Sequence, residues 1–441
     1  MKTVILKNLY QGENSVKMMI RNGEKIYQQL TKFVFDVDKD RIEFPASGGT
    51  DTLTITANEP WTMTVPAWLT ASAVSGRSSA TITITSQPTQ TSLQGNIVIT
   101  CNGVQKTVSV SAIARDYSRE YFTIKSIGNS GIHITPGKYS FIPSSYATRL
   151  NGGEWSLKTG NNNFTLTDGD ELSVRFAPNS NIHPVMYFTG STGTFSVEGN
   201  IMSLIYGDSF HGRTFDRDSA CTMMFSGCTG LSDASNLVLP VEVTNSCYYE
   251  MFHGCRSLAT APALPATALA TSCYFRMFSD CKSLTTAPAL PATTLAEDCY
   301  DAMFMGCSSL ITAPALPATA LATNCYTNMF RYCTSLTSAP ALPATALAQD
   351  CYVGMFAGCT GITTAPELPA TTLANGCYYY MFYGCTNLNY IKCLATDISA
   401  SNCTGDWVGG VAASGTFVKK AGMTWPTGNS GIPSGWTVIE E

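Results

Sequence analysis

The sequence is poor in charge. Only 13% of its 441 residues are Asp, Glu, Lys or Arg, and the formal net charge is −5. That excludes the basic footprint of a nucleic-acid binder and the lysine and arginine clusters that hold proteins on anionic membranes. Long apolar runs are missing too, since no stretch approaches the ~18 consecutive apolar residues that span a bilayer. At the N-terminus, Val4, Ile5 and Leu6 are followed at once by Lys7 and Asn8, too short an apolar segment for a secretory signal. As it stands, the chain is expected to be made in the cytoplasm.

Signs of chemistry are equally scarce. His133, His183, His211 and His253 never fall at metal-ligand spacing. No nucleophile-elbow, Walker or dinucleotide-binding sequence stands in a strand-to-helix setting. Asp36-x-Asp38-x-Asp40 begins like a calcium loop, but Arg41 replaces the required Gly and Ser47 the required Glu, so it reads as a solvent-facing strand edge. Asp and Glu are scattered, with no visible pair for glycoside hydrolysis. The expectation is a non-enzymatic protein without cofactor or metal, with no nucleic-acid partner and no membrane insertion.

What is present is β-pattern and repetition. Residues 1–32 hold two extended candidates, 3–9 and 16–20, around the turn Gln11-Gly12-Glu13-Asn14, and read as a β-arm or attachment segment. Residues 33–114 alternate as half-buried strands do: Leu53/Ile55, Ile82/Ile84, Ile97/Ile99/Cys101 and Val108/Val110. Asn102-Gly103 sits between two such runs and predicts a type I′ hairpin, in which both central residues need positive φ. Residues 115–205 carry further candidates at 121–124, 138–142, 164–167, 172–176, 185–188 and 194–197, and predict a second β-sandwich that caps the C-terminal half.

From residue 220 the chain repeats. Met-Phe recurs at 224/225, 251/252, 277/278, 303/304, 329/330, 355/356 and 381/382, and Cys255, Cys281, Cys307, Cys333, Cys359 and Cys385 are each 26 apart. A fixed period of this size indicates a solenoid, in which each unit buries its apolar face against its neighbours. Leu258, Leu284, Leu310 and Leu336, with Ile362 and Leu388, should stack as one spine, and Leu264, Leu290, Leu316, Leu342 and Leu368 as another. The Met-Phe pairs and the tyrosines at 248, 274, 300, 326, 352 and 378 fill the opposite side, as core or as a ligand stripe. Pro288 and Pro291 and their counterparts cannot donate to a ladder, which limits each strand to about three residues near 284–286. Residues 298–304 suggest a single helical turn with Cys299, Met303 and Phe304 facing inward. Seven coils at a strand spacing of ~4.8 Å would make a rod about 35 Å long.

Of the seventeen cysteines, sixteen follow residue 220. Cys at i and i+8 is not a zinc spacing. Across a helical segment such a pair would lie about 12 Å apart, beyond a disulfide. Bridges between neighbouring coils are geometrically open, but the odd count and the lack of an export signal favour buried thiols.

Particular residues in both halves carry a family resemblance. Phe44-Pro-Ala-Ser-Gly-Gly-Thr, the run 53–58 into Pro60-Trp61, Ala67-Trp68-Leu69-Thr70, and Ser75-Gly76 before 80–85 resemble the BACON domain, an Ig-like module of gut bacteria and their phages. That resemblance implies carbohydrate binding. Cys281-Lys282-Ser283-Leu284 with Leu290-Pro291 is similar to the leucine-rich repeats of BspA-like surface proteins, although the unit here is longer and adds the A-P-x-L-P prolines. The ending, Ala413-Ser414-Gly415-Thr416-Phe417, Trp425 and Ser430-Gly431-Ile432-Pro433-Ser434-Gly435-Trp436, resembles tails on proteins of gut (crAss-like) bacteriophages.

The expected architecture is therefore mainly β: an arm (1–32), an Ig-like sandwich (33–114), a second sandwich-like domain (115–205), a leucine-rich-repeat solenoid with short helical turns (206–408) and a C-terminal β cap (409–441). The resemblances imply a virion fibre protein whose partners are other virion proteins and a host-surface glycan or protein. The alternative is an adhesin on the bacterial surface, and a homo-oligomer is left open. Candidate ligand contacts are the positions that vary between units: Tyr249, Phe275, Arg276, Arg331, Tyr332, Tyr379, Tyr380 and Tyr383. Variation there marks an exposed stripe, whether it serves recognition or is only solvent-facing drift.

Overall fold

The computed structural model describes residues 5–11, 14–21, 24–30, 33–45, 49–87, 92–113, 120–137, 145–177 and 185–441. The expected strand at 138–142 and the turn residues Gly12 and Glu13 lie outside them. The chain is mainly β, with about 35% of residues in strands and 2% in helix. It divides into two compact units, Met1–Asp116 and Tyr117–Glu441.

In the first unit, β1 (Ile5–Gln11), β2 (Asn14–Arg21) and β3 (Glu24–Leu30) form an antiparallel sheet, one strand more than the arm was expected to hold. Nine further strands complete the unit. They are β4 (Phe35–Val37), β5 (Arg41–Pro45), β6 (Gly49–Ala57), β7 (Trp61–Thr64), β8 (Leu69–Ala71), β9 (Ser75–Gly76), β10 (Ala80–Ser86), β11 (Leu93–Cys101) and β12 (Val104–Ile113). They form two sheets, ordered β4-β6-β10-β8 and β5-β12-β11-β7-β9. Alternation decides what lies between them: Leu53, Ile55, Ile82 and Ile84 from one sheet share a core with Trp61, Ile97, Ile99, Val108 and Val110 from the other. The β11–β12 turn is Asn102-Gly103 with φ of 48° and 79°, as the I′ turn requires. Gly76 is needed for a different reason, because a Cβ there would stand 2.5 Å from the Trp61 ring.

The second unit opens with β13 (Thr123–Pro136), β14 (Ser145–Leu150), β15 (Ser156–Thr159), β16 (Asn162–Leu166), β17 (Glu171–Phe176) and β18 (Met186–Asn200), then the one-turn helix α1 (Ser203–Tyr206) and β19 (Leu231–Val238). These strands make one sheet, ordered β15-β14-β17-β13-β18-β19, with β16 also on β13. The expected second sandwich is thus a single sheet. Its apolar face needs no second sheet because Phe122, Ile124, Phe188 and Val197 join the same core as the repeats. β19 adds to β18 in parallel and begins the stack of repeats.

Within the repeats the backbone pairing depends on proline. β19 and β20 (Tyr390–Cys393) lie at the two ends, where the A-P-x-L-P sequence is missing, and there regular parallel strands form; β20 pairs with β21 (Thr416–Lys419), which pairs with β22 (Thr437–Glu440). Between the ends, where each unit carries both prolines, the ladder shrinks to isolated parallel bridges such as Thr286↔Thr312 and Thr312↔Ser338.

Most of the bonding between coils runs instead through the segment read as a helical turn. That expectation is corrected: 298–304 is not helical. In the coil 272–281, N–H groups alternate between a local turn and the next coil. Phe275 N donates to Ser272 O (3.2 Å), Arg276 N to Asp301 O (2.9 Å), Met277 N to Tyr274 O (3.1 Å) and Phe278 N to Met303 O (2.9 Å). Every fourth residue is left-handed: Ser272 at φ 53°, Arg276 at 50° and Asp280 at 59°. Each left-handed residue ends a turn and sends the next pair of side chains inward. A helix is excluded because it would use every N–H locally, leaving none for the neighbouring coil.

Candidate functional site

The four-residue rhythm sorts side chains two in, two out, although Ser279 of an outward pair is also buried. Inward go Cys273, Tyr274, Met277, Phe278 and Cys281, all at most 1% exposed, and the same positions are buried in the other coils. The tyrosines stack from Tyr248 through Tyr378 with centroids 5.6–6.2 Å apart. A parallel column of phenylalanines runs from Phe188 through Phe225 to Phe382, and both columns reach Trp407. The Tyr stripe is therefore core. The hydroxyls of Tyr248, Tyr274 and Tyr326 are buried without a partner among the described residues, and burial holds these phenols well above their ordinary range.

All seventeen cysteines are free and buried. One column also makes directed bonds: the thiols of Cys255, Cys281, Cys307, Cys333, Cys359 and Cys385 each donate to the carbonyl of a phenylalanine one coil back, at 2.9–3.2 Å. Burial pushes the thiols up, Cys385 to about 12. A thiol so protonated is a poor nucleophile and a poor metal ligand.

The outward pairs form the stripe on which the sequence placed its candidates, and they gather into three clusters rather than one pocket. In the first, Tyr249 and Phe275 stack at 4.6 Å and 7°, and the Arg276 guanidinium lies 5.2 Å from the Phe275 ring and 3.6 Å from Glu250. Burial raises the Tyr249 phenol above its ordinary value. In the second, Arg331 lies 5.0 Å from the Tyr332 ring centre and donates to the Tyr332 hydroxyl and to Asn328 Oδ1, both at 3.2 Å. In the third, Tyr379 and Tyr380 are 4.2 Å apart and Tyr380 meets Tyr383 edge-on at 5.3 Å. The hydrogen bond with Tyr379 raises the Tyr380 phenol. Tyr332 and Tyr383 are about half exposed.

Glycines in the following coil make room for these side chains. A Cβ at Gly358 would meet the Tyr332 ring at 2.5 Å, at Gly405 the Tyr379 ring at 2.6 Å, and at Gly409 the Tyr383 ring at 2.8 Å. Asp301 lies between the first two clusters. Burial, reinforced by Asp298, raises its carboxyl to about 7.

Two features have no counterpart among the sequence-based expectations. One is a cluster on the sheet of the second unit. Arg149 and Arg175 lie 4.9 and 4.5 Å from the Trp155 ring, while Arg175 and the Tyr121 hydroxyl both bind the Asp208 carboxylate. No local pattern announces it, because its members come from separate strands and loops. The other is a shallow polar cleft on the first unit, lined by Asp40, Arg41, Gln94, Asn96, Ser109 and Ser111. No group of three or more metal-ligating side chains, and no helix long and apolar enough to cross a membrane, occurs among the described residues.

No family model and no curated protein matches the chain. Among solved structures it is similar to a Bacteroides ovatus GH5 xyloglucanase in complex with a XXXG heptasaccharide, at 18% identity and a TM-score of 0.18. The likeness covers 20% of each chain, so the chain spans about a fifth of that enzyme's length.

Proposed function

We propose that the chain is a non-enzymatic virion structural or fibre protein that displays a host-surface- or glycan-binding stripe on a stack of 26-residue repeats. In this reading the first unit is an Ig-like sandwich of the BACON type, acting as spacer or accessory sugar binder. The repeats are a BspA-like leucine-rich-repeat solenoid. The observation that carries the reading is the stripe itself. Residues that vary between otherwise uniform coils put Tyr, Phe and Arg outward at Tyr249, Phe275, Arg276, Arg331, Tyr332, Tyr379, Tyr380 and Tyr383, on a backbone cross-linked coil to coil. Rigid aromatic and guanidinium groups supply contact area at modest entropic cost. The virion assignment is supported by the resemblance of the 413–436 segment to C-terminal sequences on proteins of gut phages.

Mass spectrometry of purified virions should find the chain as a stoichiometric component. Full-length protein should bind host cells, and the double variants Tyr249→Ala/Phe275→Ala and Tyr380→Ala/Tyr383→Ala should each lose about tenfold or more in affinity. Absence from virions, with the chain on the bacterial envelope instead, would transfer the reading to a surface adhesin. Undiminished binding by both variants would remove the stripe from it.

A further inference from the structure

The stripe's two arginines sit in opposite electrostatic situations. Arg276 has a carboxylate, Glu250 of the preceding coil, at 3.6 Å, and that carboxylate's side chain is only 13% exposed. Beside it, His253 faces Asp280 at 3.9 Å. Arg331 has no carboxylate within ion-pair range among the described residues. Its guanidinium is nonetheless held in place by Asn328 Oδ1, the Tyr332 hydroxyl and the Tyr332 ring. Its Nε is buried and without a hydrogen-bond partner among the described residues. The positions matching Arg331 in the coils on either side are Met305 and Ala357, and those matching Tyr332 are Gly306 and Gly358, so no long charged side chain reaches over it. The nearby raised carboxyl, Asp301, is influenced by Arg276 and bonded to Asn328; Arg331 is not among the groups acting on it.

A fixed, half-buried guanidinium without a counter-charge is arranged to take an external anion, and a planar fork suits a carboxylate in particular. Backbone availability argues for the class of molecule that carries it. An extended peptide docks by pairing with free main-chain groups at a sheet edge. Here the N–H groups of Asn328, Arg331 and Tyr332 are already given to Val353 O, Asn328 O and Ala357 O. A strand-adding peptide is thereby disfavoured, which favours a ligand recognised through its own polar substituents, as a sugar chain is. We propose that Arg331 is the anion-recognising point of the stripe, and that the ligand it takes is a glycan bearing carboxylates, of the uronic-acid type. This rests on the reading of the stripe as a glycan-binding surface.

The test is calorimetric titration of the full chain with a galacturonic-acid hexamer and with its fully methyl-esterified, uncharged counterpart. The acid form should bind about tenfold tighter or more at low salt, with the difference shrinking as salt rises. Arg331→Gln should abolish that preference by weakening the acid form to the level of the ester, while leaving the thermal unfolding midpoint unchanged. Arg331→Lys, a point charge without the fork, should keep only part of it. Equal affinity for acid and ester, a preference that survives Arg331→Gln, or equal Arg331-dependent capture of poly-glutamate would each overturn the proposal. If acid and ester bind equally and the stripe's aromatic variants lose both, the glycan-binding reading stands while this inference falls. If neither sugar nor host cells are bound at all, both fall.

Discussion

The thiol of Cys281 donates to the carbonyl of Phe252, one coil back, at 3.2 Å, while the same carbonyl accepts the Cys255 N–H at 3.0 Å. One oxygen thus closes the turn of its own coil and fastens the next coil to it. The cysteine column is more than small apolar filling, and the two roles predict opposite orders of stability. Were the thiol only a hydrophobe, Ser would be the worst replacement, since it buries a hydroxyl. With an acceptor waiting, Cys281→Ser should retain more stability than Cys281→Ala, which loses both volume and donor and should cost about 1–2 kcal/mol. Urea midpoints of the two variants decide it, and an Ala variant more stable than the Ser variant would reduce the bond to a bystander.

The left-handed positions predict a second order. Ser272 has φ 53° and is only partly buried, and the matching position is Asn324 two coils later and Gly376 four coils later. An L-residue in this region costs about 1–2 kcal/mol that Gly does not incur, and a β-branched residue tolerates it worst. Ser272→Gly should therefore stabilise the chain by up to about 1 kcal/mol, and Ser272→Val should destabilise it by about 2 kcal/mol or more. Thermal melts of both variants suffice as the check.

A third prediction concerns pH. Burial lifts the Asp301 carboxyl to about 7 in the folded chain, above the unfolded value near ~3.9. Between these values the folded state holds the proton more tightly, so stability falls as pH rises through the window and the full penalty applies above about 7. Asp301→Asn removes the penalty. It should leave the unfolding free energy unchanged near pH 4 and raise it by about 1–2 kcal/mol at pH 8. A stabilisation of the same size at both pH values would show that ionisation is not its source.

Much of the repeat half is legible in the sequence, and the reason is periodicity. In a stack of identical units a residue's principal neighbours lie one repeat away, so contact becomes a matter of counting. The Leu spine, the Met-Phe pairs, the Tyr column and the outward stripe all derive from the 26-residue interval. So would the Glu250–Arg276 pair, which are 26 apart, had that interval been applied to charges. The Ser, Asp, Asn or Gly that precedes each Cys-Tyr pair is a further signal, since these residues tolerate a left-handed backbone best.

Other features depend on what no interval states. Whether 298–304 would close its own helix or share its hydrogen bonds with the next coil is a competition between local and lateral bonding, and the lateral partner exists only once the coils are stacked. The order β15-β14-β17-β13-β18-β19, and the Trp155, Arg149 and Arg175 cluster that it assembles, joins segments at unequal separations. The sequence by itself determined which residues of each coil face inward, because burial there repeats with the chain. Only the tertiary structure decided which outward charges find a partner, leaving Arg276 neutralised by Glu250 and Arg331 without a carboxylate among the described residues, because pairing depends on distances that side chains reach only in the assembled stack.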